Sequence, residues 1–96
     1  MADALRWTRD NGRLSLHGEL DQDYLTSLWE IREEVTQGVN TIDLSDITRV
    51  DTAGVALLMH LVALIRQRGG AVSIIGKSEK MNTLVQLYNL PADLIP

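Results

Sequence analysis

The sequence predicts an α/β fold: a mixed β-sheet of about four strands with three helices, in the order ββαβαβα. Three observations carry that prediction. Short apolar or alternating runs are separated by longer stretches with helical periodicity, turn residues stand between them, and strand and helix alternate after an opening hairpin. A hairpin adds an antiparallel neighbour, whereas strands joined through helices pair in parallel by right-handed crossovers.

The first segment, Leu5-Arg6-Trp7-Thr8, reads as a strand with Leu5 and Trp7 on one face. Asp10-Asn11-Gly12 supplies the hairpin turn, because Asn and Gly tolerate positive φ. Arg13 to His17 returns as an alternating strand that buries Leu14 and Leu16 and turns His17 to the polar face. A helix is expected from about Gln22 to Gln37, with Asp21 or Asp23 as N-cap and Gly38 as terminator. At about 100° per residue, Tyr24, Leu28, Ile31 and Val35 form one stripe, with Leu25 on its edge.

Thr41-Ile42-Asp43-Leu44 follows as a short buried strand, and Ser45 to Val50 reads as a connecting loop with two apolar anchors. The second helix is expected from about Ala53 to Arg68, capped by Thr52 and ended by Gly69-Gly70. Ala71 to Ile75 reads as a strand covered on both faces. Ser78 then caps a third helix in which Met81, Leu84, Val85 and Tyr88 share one side. Asn89 stops it, and residues 90–96 are expected to pack back as an irregular tail or a single turn.

With 96 residues, the chain is expected to form one domain, residues 1–96, around one modest core. The absence of cysteine rules out disulfides, thiolate metal sites and cysteine nucleophiles, and is compatible with a cytoplasmic protein. A net charge of −4, with the basic residues scattered, argues against a nucleic-acid partner. The N-terminus lacks the basic and apolar regions of a signal peptide. The longest uncharged run, Thr52 to Ile65, has 14 residues, whereas a membrane span needs about 20. Direct membrane insertion is therefore not expected.

Catalysis finds little support. His17 and His60 lie in different elements without neighbours at metal-ligand spacing, so no catalytic set, metal or cofactor is expected. Asp43 and Asp51 flank the stretch from Ser45 to Val50. They are read, with Gly54, as loop-organising residues that bond backbone N–H groups, in preference to a pair of catalytic carboxylates. Thr52 carries two readings. It is a good cap, worth about 1 kcal/mol; equally, the small residues Ala53 and Gly54 leave its hydroxyl open to a partner or a kinase.

The second helix has two unlike sides. Leu58, Leu61, Val62 and Ile65 face the sheet, while Ala53, Ala56, His60, Ala63 and Gln67 lie opposite, flanked by Leu57, Met59 and Leu64. A solvated face normally carries Lys and Glu. This one is small and weakly polar, either tolerated surface alanine or a surface that a partner approaches closely. Trp29 stands roughly 110° from the centre of the first helix's apolar stripe. It is either a core-edge packer or a contact anchor, and the patch it would form with the second helix favours the anchor.

The run Asn40-Thr41-Ile42-Asp43-Leu44-Ser45-Asp46-Ile47-Thr48-Arg49-Val50-Asp51-Thr52-Ala53-Gly54-Val55 resembles the signature of STAS domains. These are the modules of sulfate transporters and anti-sigma-factor antagonists, in which an apolar strand ends in Asp-Leu-Ser and Asp-Ser/Thr-small-Gly opens a helix. Gly18 to Asp23, Leu28-Trp29-Glu30 and Leu87 to Asp93 are similar to a narrower group, the small STAS subunits of ABC transporters that maintain lipid asymmetry in the Gram-negative outer membrane. That resemblance implies a STAS-like fold and a non-catalytic cytoplasmic subunit, held at the inner membrane only through its complex. It also implies an ABC ATPase subunit as protein partner, whose assembly and activity the subunit supports. Thr52 matches the ATPase contact of that group and the regulatory phosphoacceptor of the antagonists, which usually have serine there. The alternative function is therefore an anti-sigma-factor antagonist switched by phosphorylation at Thr52.

Overall fold

The structure, a computed structural model, describes residues 5–22 and 25–87. Strands β1 (Leu5–Asp10) and β2 (Arg13–Leu20) pair antiparallel from Leu5 opposite Gly18 to Asp10 opposite Arg13. Between them Asn11 and Gly12 have φ of 50° and 81°. Two successive left-handed residues are what a two-residue primed turn needs, and Asn-Gly adopts it at least cost. β3 (Thr41–Val50) and β4 (Ser73–Ile75) add in parallel, so the sheet runs β1-β2-β3-β4.

Register aligns Leu14, Ile42 and Ile74 across three strands. With Leu16 and Leu44 they are buried in one cluster together with Leu28, Val35, Leu58, Leu61, Val62 and Ile65 from the helices. Successive side chains of a strand point to opposite faces, so Ser15, His17, Asp43, Ser73 and Ile75 lie on the other side of the sheet. Ser73 and Ile75 are exposed there, and β4 is covered on one face only. The two-face expectation was wrong because the buried helix residues all join the cluster on the Ile74 side.

The expected first helix is two short ones, α1 (Thr26–Glu30) and α2 (Arg32–Val35), broken at Ile31 with φ −108° and ψ 19°. Side-chain donors take backbone carbonyls on both sides of the break. Arg32 Nη1 donates to the Trp29 carbonyl at 2.8 Å, Arg68 Nη2 to that of Glu33 at 2.7 Å, and Arg9 to those of Glu34 and Gln37 at 3.1 and 2.7 Å. The buried Thr36 hydroxyl bonds the Arg32 carbonyl at 2.8 Å and accepts from Arg68 Nη1 at 2.8 Å. The carbonyls at the end of α2, which lack a helical donor, are satisfied in this way, so the helix need not continue beyond Val35. The N-cap of α1 is Leu25, without a side-chain bond, rather than Asp21, which is buried and faces Arg49 Nε at 3.6 Å. Asp23 and Tyr24 lie outside the described residues, as do Tyr88, Asn89 and residues 90–96.

β3 also departs from expectation, since Ser45 to Val50 is strand rather than loop. β2 runs on to Leu20 and gives it partners: His17 opposite Asp46, Gly18 opposite Ile47, Glu19 opposite Arg49 and Leu20 opposite Val50. Register shifts between Ser15 and His17 and between Gly18 and Glu19 break the two-residue alternation by which a strand is read from sequence.

Helix α3 (Thr52–Gln67) starts one residue earlier than expected, and its cap is Asp51, not Thr52. Asp51 is extended, and its Oδ1 accepts from Gly54 N at 2.9 Å. Thr52 is already the first helical residue. At the far end Gly69, with φ 82°, donates to the Arg66 carbonyl and Gly70 to that of Ile65. This is the 5→2 and 6→1 pair of a Schellman ending. Ser78 Oγ accepts from Met81 N at 3.1 Å and caps α4 (Glu79–Leu87), whose Met81 is buried. No helix among the described residues is long and apolar enough to cross a membrane.

Candidate functional site

Asp51 fixes where the two helices of the site begin. Its Oδ1 holds the first turn of α3 through Gly54 N, and its Oδ2 accepts from Gln22 N at 3.1 Å in the segment leading to α1. The Asp51 N–H donates to the Leu20 carbonyl at 3.3 Å. Gly54 is buried against that same carbonyl, and a Cβ there would collide with the oxygen. One carboxylate therefore ties the end of β2, the approach to α1 and the start of α3 together.

Between α1 and α3 this arrangement leaves an open groove of about 300 Å³, lined by Leu25, Thr26, Trp29, Ala53, Ala56, Leu57 and His60. The small side chains Ala53 and Ala56, one turn apart on α3, form its floor. Trp29 is 39% exposed, enough to offer much of its indole to another molecule. Its ring meets that of His60 edge to face, 5.0 Å between centroids and 78° between planes. Arg32 lies over the indole, its Cζ 4.0 Å from the ring centroid. A guanidinium on an indole face is attracted by the ring's quadrupole, so Trp29 is braced before any partner arrives.

The structure thus brings Trp29, Ala53, Ala56 and His60 together in one groove. Thr52 is exposed beside Ala53, although not part of the lining. Sequence reasoning missed Arg32, Leu25 and Thr26 as parts of the site. The wheel that singles out Trp29 places Arg32 and Thr26 three positions away on the same side, which was a usable signal. Leu57, placed beside the outer face of α3 by the helical wheel, is buried at the groove.

Asp43 is placed elsewhere. Its Oδ1 accepts from the Ser45 hydroxyl at 2.6 Å and from Ser45 N at 2.9 Å. These two bonds hold its carboxyl below the usual aspartate range; burial opposes them, and the charges of Arg13 and His17 add to the lowering. The distance to Arg13 Nη1 is 4.0 Å. On the same open face of the sheet, His17 Nδ1 donates to Asp46 Oδ2 at 2.9 Å, and its Nε2 lies 3.2 Å from Thr8 Oγ1. That acid–imidazole–hydroxyl chain links β1, β2 and β3, and none of its members lines the groove. Among the described residues no group of three or more His, Asp or Glu converges to hold a metal ion.

Comparison with known proteins adds to this geometry. A family model described as Mlab, STAS domain matches residues 4–96. The intermembrane phospholipid transport system binding protein MlaB of Escherichia coli (strain K12) is 50% identical over 96 residues, covering 100% of this chain and 99% of that protein. The protein of the same name from Shigella flexneri matches equally, at 50% identity and the same coverage. Among solved structures, the anti-sigma factor antagonist SpoIIAA in its unphosphorylated form has a TM-score of 0.65 at 18% identity, over 88% of this chain and 83% of that one. At that identity the likeness is one of fold.

Proposed function

This chain belongs to the STAS domain family, among its Mlab-type members, and on that premise we propose that it is a non-catalytic subunit of an intermembrane phospholipid transport system. Its task is to bind the ABC ATPase subunit and to support assembly and activity of the complex, at the cytoplasmic side of the inner membrane. The contact surface is the α1/α3 groove with Thr52 at its edge: Trp29 as anchor, Ala53 and Ala56 as the close-approach floor, and His60 as the far wall.

One observation carries the reading. An exposed tryptophan, braced by Arg32 and His60, overhangs a groove floored by alanine. Interfaces concentrate their binding energy in such aromatic anchors beside well-shaped pockets. Full-length identity of 50% to transport-system binding proteins supports the transport context. The antagonist alternative has only fold-level likeness behind it.

Co-purification with a tagged ATPase subunit of the same system tests this directly. Trp29→Glu and Thr52→Ala are expected to leave the circular dichroism spectrum unchanged and to reduce recovery of the complex. Undiminished recovery with both variants would place the contact on another surface.

A further inference from the structure

Resting on that docking assignment, the geometry points to the chemistry of the partner segment: an apolar side chain seated in the α1/α3 groove, next to a carboxylate that meets Arg32. Three observations lead there. The chain is acidic, with 13 Asp and Glu against 9 Lys and Arg, yet the groove lining contains no acid. Four other guanidinium groups serve acceptors of the chain itself: Arg9 and Arg68 backbone carbonyls, Arg13 and Arg49 carboxylates. Arg32 differs. Among the described residues it meets no carboxylate, and only its Nη1 is used, on the Trp29 carbonyl. A guanidinium has five N–H donors in a planar fork suited to a carboxylate, so a two-pronged face is left over at the groove rim.

The stacking makes Arg32 a prepared site. Held 4.0 Å over the indole, it loses little freedom when a second group binds, which is the usual cost of recruiting a long side chain. His60, on the opposite wall, contacts Trp29 through its ring and makes no hydrogen bond among the described residues, so it offers a further donor. The floor between them, Leu25, Ala53, Ala56 and Leu57, is apolar and takes the neighbouring side chain of the same segment. An acidic segment is the complement of this rim and floor; a basic one would be repelled by Arg32 at the moment of docking.

The test is calorimetric titration of the ATPase subunit of the same transport system into the full chain, at low and at high ionic strength. Arg32→Gln is expected to weaken binding about tenfold at low ionic strength and to remove most of its salt dependence, whereas Arg32→Lys keeps that dependence. Trp29 fluorescence in each free variant, read in a Trp7→Phe background because the chain has two tryptophans, checks that the indole stays in place. Restoration of Arg32→Glu binding by one Asp→Lys or Glu→Lys change on the ATPase subunit would establish the direct pair. Ala56→Arg, which fills the groove, separates the two levels. If Ala56→Arg abolishes binding while Arg32→Gln leaves affinity and salt dependence unchanged, the carboxylate is overturned and the docking assignment stands. If Ala56→Arg binds normally, both fail. Self-association that Ala56→Arg abolishes and the ATPase subunit does not compete away would make a second copy the occupant and overturn the inference.

Discussion

The indole of Trp29 on α1 and the imidazole of His60 on α3 meet edge to face, with 5.0 Å between ring centroids. They join the two walls of the groove. Aromatic pairs in this arrangement contribute about 0.5–1.5 kcal/mol beyond the area they bury. A double-mutant cycle with Trp29→Ala and His60→Ala, read by urea denaturation, is expected to give a coupling of about 1 kcal/mol. Additive single effects would show that the rings are neighbours without an interaction.

Asp51 and Thr52 are adjacent but unequal. Asp51 caps α3 and holds Gln22 N, so Asp51→Ala removes acceptors from two backbone donors and is expected to cost about 2 kcal/mol of stability. Thr52 is exposed in the first turn and is not the cap, so Thr52→Ala should cost less stability than Asp51→Ala while weakening the complex. Chemical denaturation of the two variants separates these roles. Equal losses would contradict the assignment of Asp51 as cap.

Gly54 is required for a steric reason. A Cβ at this position runs into the Leu20 carbonyl oxygen, a backbone atom that cannot rotate aside. Gly54→Ala is expected to destabilise by about 1–3 kcal/mol, the range for overpacking a filled site. By pushing α3 away from β2 it should also widen the groove and weaken binding. A variant as stable as the parent would mean that the helix start shifts freely.

Asp43 gives the fold a pH-dependent contribution whose sign can be stated. Ser45 hydrogen bonds lower its folded pKa below the unfolded value, so the folded state favours the ionised form. The resulting stability is fully present above the unfolded value of about 3.9 and is lost as pH falls through the lower folded value. Ser45→Ala should raise the Asp43 pKa in an NMR titration and lower stability at neutral pH more than at pH of about 2. An unchanged Asp43 titration in that variant would remove Ser45 as the cause.

Much of the fold was legible because its signals are local. Asn11-Gly12 specifies the hairpin, Ser78 caps α4, and Gly69-Gly70 ends α3. The break at Ile31 left no mark in the helical periodicity, and Arg9 and Arg68, which satisfy the end of α2, come from distant segments. The length of β3 was hidden by register shifts opposite β2, and the cap at Asp51 by a threonine that suits the same role. At the site, the helical wheel identified Trp29, Ala53, Ala56 and His60. The bracing by Arg32 depends on one rotamer, and the groove on a gap between helices that no periodicity encodes. The His17–Asp46–Thr8 chain draws one residue from each of three strands and needed the register to be seen.

The central claim is that the ATPase subunit covers the α1/α3 groove. Because the chain has no cysteine, a single Ala56→Cys thiol reports on that groove alone, and Ser73→Cys on the open face of the sheet serves as control. The rate of labelling by a thiol reagent, measured with and without the ATPase subunit, is the deciding quantity. Docking in the groove predicts strong protection of Ala56→Cys and none of Ser73→Cys. Unaltered labelling of Ala56→Cys by a variant that still forms the complex, with protection of Ser73→Cys instead, would contradict it.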